Sequence, residues 1–499
     1  MPTSIDGASL TIAEVCRIAR AASGDVALAP HAVEAMLASR ALIERLAAGE
    51  DPIYAVNTGV GLLANVRIPR QDLEQLQRNV IRSHAAGVGE PLARDAMRAM
   101  MLIRANVLAI GFSGIRPLVA ERLCDLLNRG VTPIAPSQGS VGASGDLAPL
   151  AHMALVLMGE GQAEFGGEIL SGGEALRRAG IAPIQMQPKE GISLINGTQA
   201  MLAIGCLELE ASEILADTAD VVCALSVDAL RGTPRAFDDR IHAARPQAGQ
   251  RWSARRLREL MEGSEIRNSH LICRRVQDAY SLRCAPQVHG AVLDALAEAR
   301  RVFAIELNSA TDNPLVFGEE ILSGGNFHGE PLAFQLDFLA VALSALAGIS
   351  ERRIDRLVNP ALNEELPAFL AGNAGLESGL MMCQVTAAAL VAENRVLAHP
   401  ASTGSITTSG NKEDFVSMGM TGALKYQRIV RNTRAVLAIE ALAAARALDL
   451  LAPLKTSAPL EAMRARIREV SPPIEGDRPF HRDIEALDRL IACGALAGR

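Results

Sequence analysis

Along most of the chain, apolar residues recur every three or four positions, the spacing that puts them on one face of a helix. Thr11-Ile12-Ala13-Glu14 reads as a capping box, in which the threonine oxygen and the glutamate carboxylate satisfy backbone donors at a helix start. Pro30 opens a second helix, with Val33, Met36, Leu37, Ile43 and Leu46 on one face and Gly49 as its stop. A third runs from Gln71 to about Ala86.

Beyond Thr198 the helical patterns lengthen, over about 198–230, 286–312, 331–358, 377–398 and 413–451. In the second of these, Val292, Leu296, Ala299 and Phe303 form a narrow stripe suited to a bundle. Helices of this length run to roughly 40 Å at the rise of an α-helix. Pro331 to Ser350 is apolar enough to suggest a membrane span, but it is alanine-rich and Glu351-Arg352-Arg353 follow at once, so a buried helix is expected. Two stretches read as small hairpins, Phe165 to Gly173 and the near-copy Phe317 to Gly325. Prolines at 453, 459, 472, 473 and 479 precede a short amphipathic helix around Arg482 to Ile491. The expected architecture is mainly α, a long central helical bundle with a few short β-hairpins. It divides as an N-terminal mixed domain (1–197), the long-helix bundle (198–455) and a C-terminal helical cap (456–499).

Composition sharpens this picture. Of 499 residues 49% are apolar but only 3% aromatic, so alanine, leucine and valine must fill the core. With three tyrosines in all, Tyr54 and Tyr280 stand out because both fall in motifs. The net charge of −7 comes with dispersed basic residues, which leaves no electrostatic footprint for nucleic acid. Eight cysteines (16, 124, 206, 223, 273, 284, 383 and 493) form no C-x-x-C pair and mostly sit in apolar runs. Buried free thiols in a reducing, cytoplasmic compartment follow. The N-terminus lacks the basic and apolar regions of a signal peptide. Nine histidines are scattered without metal-ligand spacing, so no metal is expected.

The chemistry concentrates in Gly139-Ser140-Val141-Gly142-Ala143-Ser144-Gly145-Asp146-Leu147-Ala148-Pro149-Leu150-Ala151-His152. A flexible turn is the ordinary reading of a Gly/Ser cluster. Here, however, Leu147, Leu150, Met153 and Leu155 resume at helix spacing immediately afterwards, so the turn feeds a buried element. A hydrolase elbow would need Gly-x-Ser-x-Gly, and Gly145 instead follows the serine directly. The stretch resembles the signature of the aromatic amino-acid ammonia-lyases, and most closely their histidine-specific branch. In that family the triplet loses two waters to become a 4-methylidene-imidazol-5-one electrophile. The resemblance implies that Ala143, Ser144 and Gly145 supply it with no external cofactor, within an L-aspartase-like fold.

The likeness covers roughly Tyr54 to Met420, as separate motifs in the family's order. Tyr54, in Tyr-x-x-Asn-Thr-Gly-x-Gly, matches the mobile-loop tyrosine implicated in proton abstraction from the β-carbon. A tyrosine has a reference pKa near 10, so that role demands a group that stabilises the phenolate. Asn196 matches an asparagine that hydrogen-bonds the electrophile and the substrate carboxylate; by itself it would also suit a helix N-cap. Gln277, Tyr280 and Arg283 share one motif, in which the guanidinium of Arg283 could take a carboxylate through two parallel bonds. Phe327 resembles an aromatic residue near the electrophile.

Substrate choice points to histidine. Ser83-His84 stands where relatives preferring phenylalanine or tyrosine carry Phe-Leu or His-Leu, and Glu413 stands where they generally have glutamine. A carboxylate can accept an imidazole N–H. Met382 lies in a segment like that of the histidine-specific branch. Lys412 and Phe415 depart from that branch, which usually reads Gln-Glu-Asp-His. The resemblance thus implies elimination of ammonia from L-histidine to give trans-urocanate, in a homotetramer whose active sites combine three chains. A tyrosine or phenylalanine lyase, a 2,3-aminomutase with the same electrophile, and a catalytically silent helical scaffold are the alternatives.

Overall fold

A computed structural model describes residues 3–271 and 276–498. In chain order its helices are α1 Ile12–Arg20, α2 Pro30–Ala48, α3 Leu73–His84, α4 Arg94–Ala109, α5 Pro117–Arg129, α6 Leu147–Leu157, α7 Gly172–Ala179, α8 Glu190–Ile195 and α9 Gln199–Ala229. There follow α10 Asp239–Ala243, α11 Ala248–Leu260, α12 Glu265–Ser269, α13 Tyr280–Arg283, α14 Ala285–Glu306, α15 Glu330–Val358, α16 Met381–Leu397, α17 Gly419–Leu450, α18 Ala458–Val470 and α19 His481–Ala492. The strands are short, and the mainly helical architecture is as expected.

The local signals act as their chemistry requires. At the start of α1, Thr11 Oγ1 accepts the Glu14 N–H at 3.2 Å and Glu14 Oε2 accepts the Thr11 N–H at 3.0 Å. Pro30 is the first residue of α2 and Gly49 caps its end. Both hairpins form, pairing Gln162–Phe165 with Glu168–Ser171 and Leu315–Phe317 with Glu320–Leu322. Gly172 and Gly173 open α7 instead of closing the first hairpin, because Ser171 Oγ accepts the Glu174 N–H and caps that helix.

Three long patterns overshoot. The 286–312 pattern stops at Glu306, and beyond it Asn308 ties the chain to Leu10 through bonds of 3.0 Å in each direction. The 377–398 pattern starts at Met381, after a turn whose Ser378 and Gly379 N–H groups both go to Asp477. The 413–451 pattern starts only at Gly419. Asn411 and Met418 are left-handed (φ 69° and 55°), and Glu413 belongs to a loop paired with Thr408. Apolar spacing through Val416 and Met420 imitates a helix that this backbone does not make.

The chain divides into two compact units. The first comprises Met1–Leu207, Arg300–Asp337 and Pro400–Leu424. Its centre is α4, buried on every side from Ala96 to Ala109, with α1, α2 and α5 packed around it. The buried Arg98, Arg104 and Asn106 of α4 each find partners, although the Nε atoms of both arginines have none among the described residues. Arg98 donates to the carbonyls of Ile18 and Leu127, and Asn106 pairs with Gly7 and Leu307. Such satisfaction is what makes their burial tolerable.

The second unit comprises Glu208–Ala299, Phe338–His399 and Lys425–Arg499. It holds a buried charge network. Arg353 donates to both oxygens of Glu440, at 2.5 and 2.9 Å, and Ser226 and Ser350 complete that carboxylate at 2.7 and 2.6 Å. Arg353 also donates to His289 Nε2, whose Nδ1 donates to Asp220 at 2.7 Å.

Among the described residues one helix, α15, is long and apolar enough to cross a membrane, and half of its most apolar window is buried inside the chain. Leu332, Leu336, Leu339, Leu343 and Leu346 form its buried stripe at helix spacing. Of the cysteines, Cys273 lies outside the described residues and the other seven form no disulfide among the described residues. Burial pushes the Cys124 and Cys223 thiols up to about 12 and Cys383 to about 11, which keeps them unreactive.

Removing one partner of a buried ion pair leaves the other charge uncompensated. Glu440→Ala should therefore destabilise the protein by about 3–5 kcal/mol. Denaturant unfolding checks this, and a loss below about 1 kcal/mol, the range of exposed pairs, would contradict it.

Candidate active site

The turn leading into α6 owes its shape to backbone contacts that only glycine permits. Gly142 and Gly145 are left-handed, at φ 65° and 76°. A Cβ on Gly145 would lie 2.1 Å from the carbonyl oxygen of Gly197, so no other residue fits there. The two glycines form a parallel bridge, and the Asp146 N–H donates to the Gly197 carbonyl at 2.6 Å.

Asp146 secures the other side. Fully buried, it accepts the Met201 N–H at 2.9 Å and the Ser140 hydroxyl at 2.8 Å. Met201 is in the first turn of α9, whose N–H groups lack helical partners, so this carboxylate caps the long helix while fixing the triplet. Burial pushes its carboxyl up to about 6, against the opposing pull of the Met201, Ser140 and Ala200 donors.

Ala143 and Ser144 face a cavity of about 970 Å³ formed within the first unit. It is also lined by Tyr54, His84, Asn196, Phe327 and Glu413, so seven of the residues singled out by sequence converge here with Gly145 directly behind them. Asn196 is the C-cap of α8 and not the N-cap of α9. Its Nδ2 donates to the Ser144 carbonyl at 2.9 Å, while its buried Oδ1 has no partner among the described residues. Glu413 accepts the Ser144 hydroxyl on Oε1 at 2.8 Å and the Thr408 hydroxyl on Oε2 at 2.6 Å. Among the described residues it makes no ion pair with Lys412, which lines the same cavity.

His84 is both the last residue of α3 and a cavity wall. Its Nδ1 lies 2.7 Å from the Val80 carbonyl, which can only accept, so Nδ1 carries a proton and Nε2 is the ring nitrogen left for other contacts. Tyr54 Oη accepts the N–H of Gly61, the first residue of a short 3-10 turn, at 3.3 Å.

Gln277, Tyr280, Arg283 and Met382 belong to the second unit and do not line the cavity. Arg283 stacks 4.7 Å from the ring of Tyr280, which is 71% exposed, and Met382 is 59% exposed.

Sequence reasoning missed several walls. Leu76, Asn79 and Val80 share a face of α3 with Ser83, a spacing that could have found them. Leu62 and Leu63 follow directly on the Tyr54 loop, and His328 directly on Phe327. The His328 ring stacks on Phe415 at 6.0 Å and 15°. Ser323 to Gly325 reach the cavity from the second hairpin, a placement with no local signal.

A family model described as aromatic amino acid lyase matches residues 10–469. The chain belongs to the aromatic amino acid lyase family. It is 61% identical to a histidine ammonia-lyase of Koribacter versatilis, over 99% of this chain and 98% of that one. Among solved structures, a histidine ammonia-lyase from Trypanosoma cruzi is 43% identical with a TM-score of 0.92, covering 99% of this chain and 94% of that one. A tyrosine aminomutase from Streptomyces globisporus is 40% identical with a TM-score of 0.94, covering 99% and 98%. The fold is the helical lyase fold of this family.

The family uses a 4-methylidene-imidazol-5-one formed from its own chain, with no external cofactor. The residues present fit that group. Ala143 and Gly145 leave the triplet unencumbered, Gly145 has no room for a side chain, and the Ser144 carbonyl already has its donor in Asn196.

Asp146 also makes stability depend on pH. Its folded pKa lies above the ordinary 3.8, so the native state holds the proton longer than the unfolded chain. This contribution is fully present below about pH 4 and lost as pH rises through about 6, a change of about 3 kcal/mol. The stability of the wild type relative to Asp146→Asn should fall by that order between those limits. A difference independent of pH would contradict it.

Proposed function

We propose that this lyase removes ammonia from L-histidine to give trans-urocanate. The observation that carries this reading is Glu413, held within hydrogen-bond distance of Ser144 in a cavity that otherwise presents many apolar walls. A carboxylate there suits an imidazole N–H, which phenyl and phenol rings do not offer. The relatives bearing the name histidine ammonia-lyase support it.

When formed from Ala143-Ser144-Gly145, the methylidene group would supply an electrophile for the substrate amine and so make that amine a better leaving group. The protein's residues do the rest. Asn196 Nδ2 donates to the carbonyl conjugated with the new alkene, holding negative charge that develops on that oxygen. Dehydration removes the Ser144 hydroxyl, which frees Glu413 Oε1 to receive the imidazole. His84 offers Nε2 from the α3 side. Tyr54 takes the β-proton, with the Gly61 N–H holding its oxygen. The stacked His328–Phe415 pair supplies a flat wall in place of the polar residue usual in the histidine-specific branch.

Arg283 holds the substrate carboxylate, with Gln277, Tyr280 and Met382 beside it, in a cytoplasmic homotetramer whose sites are shared among chains. Exposed apolar side chains in the second unit support association. Phe338 and Val341 on α15 and Met382 and Val385 on α16 recur at helix spacing and are 46–59% exposed.

The test is an amino-acid panel with intact-mass analysis. The purified protein should weigh two waters less than its translated sequence, and L-histidine should give the near-ultraviolet rise of urocanate. Turnover of tyrosine or phenylalanine alone would overturn the substrate. A β-amino acid product would make it an aminomutase, as the structural likeness to tyrosine aminomutase keeps in view. Tyr54→Phe should lower kcat by about 10²–10⁴-fold while the mass deficit persists.

A further inference from the structure

We propose that Arg104 is a positioning residue for the ring closure of Ala143-Ser144-Gly145; this rests on the reading of that triplet as the electrophile's precursor. Arg104 lies on α4, fully buried, and among the described residues makes no hydrogen bond to the triplet. It acts through the turn between α8 and α9. Nη1 donates to the Asn196 carbonyl at 2.8 Å and to Gln199 Oε1 at 2.9 Å, and Nη2 donates to the Ser193 carbonyl. Gln199 is braced in turn by its bond to Thr311 at 2.7 Å. One planar guanidinium thus spans both sides of Gly197, a geometry its rigid fork supports and a lysine's single ammonium does not.

Gly197 is the surface on which Gly145 rests. A Cβ on Gly197 would meet Arg104 Nη1 at 2.7 Å, and a Cβ on Gly145 would meet the Gly197 backbone at 2.1–2.5 Å. Arg104, Gly197 and Gly145 therefore form a stack with no slack, and Asn196, pinned by the same fork, holds the Ser144 carbonyl.

The chemistry needs that restraint. The Gly145 nitrogen must bond the carbonyl carbon of Ala143. That carbonyl oxygen leaves as water with the amide hydrogens of Gly145 and Ser144, which creates a carbon–nitrogen double bond. A second water leaves with the Cα hydrogen and hydroxyl of Ser144, which creates the alkene. No oxidant or reductant is involved. Closure demands a bent backbone in which one amide nitrogen approaches a carbonyl carbon two residues back. A displacement near 1 Å at a reacting pair can cost about 100-fold in rate.

A second buried arginine makes the test specific. Arg98 lies on the same helix, equally buried, but serves the carbonyls of Ile18 and Leu127. Arg104→Met, Arg98→Met and wild type would be expressed together and followed by intact mass and by the ultraviolet absorbance of the conjugated ring, with circular dichroism reporting the fold. Folded R104M should remain largely at its translated mass, maturing about 100-fold more slowly, while R98M reaches the full two-water deficit. R104M maturing at the wild-type rate, or R98M failing as R104M does, would overturn the proposal. Should R104M not fold, R104K carries the same test: slowed maturation supports positioning by the fork, and wild-type maturation overturns it. A wild type with no mass deficit would instead overturn the reading of the triplet itself.

Discussion

The site depends on a contact between two backbones. Gly145 lies against the Gly197 backbone so closely that it has no room for a side chain, and the Asp146 N–H is bonded across the same junction at 2.6 Å. Backbone packed on backbone leaves few soft degrees of freedom, because its atoms cannot rotate away as a side chain can. The triplet is consequently held by the α8–α9 turn, through Gly197 and Asn196, by the buried Asp146 and by Glu413. A short sequence that would otherwise be a flexible turn becomes a constrained one.

Charge is used differently in the two units. In the first, Asp146 and Arg104 are buried ions that bond chiefly to backbone groups at helix ends, where unpaired N–H and C=O groups need partners. They satisfy the termini of α8 and α9 and in doing so fix the turn that carries the chemistry. In the second, Arg353 and Glu440 satisfy each other together with two serines and a histidine. That arrangement makes separation of the partners expensive.

Several pieces of the site were legible because their signals are local. The small-residue run around Ser144 demands unusual backbone shapes, the Tyr54 loop fits neither helical nor strand period, and His84 closes an amphipathic helix. Other pieces resisted for equally physical reasons. Glu413 fell inside an apolar pattern that mimics helix, although left-handed residues on either side keep it in a loop beside Ser144. Asn196 suits a helix start by residue type, yet its side chain is claimed by the Ser144 carbonyl. Nothing adjacent in sequence announces that α4 sends Arg104 beneath residues almost a hundred positions away.

From its sequence alone this protein is a chain of long alanine- and leucine-rich helices, with an Ala143-Ser144-Gly145 triplet and separate motifs that resemble those of the aromatic amino-acid ammonia-lyases. The helices follow from residue type and spacing, which act over a few neighbours; the chemistry of the triplet was implied by the resemblance. Tertiary structure decided which oxygen each donor reaches, that Gly145 seats on Gly197, and that seven scattered residues share one cavity while four others lie in a different unit. Such pairings join segments far apart in the chain, and only the packing of helices around α4 brings them within hydrogen-bond range.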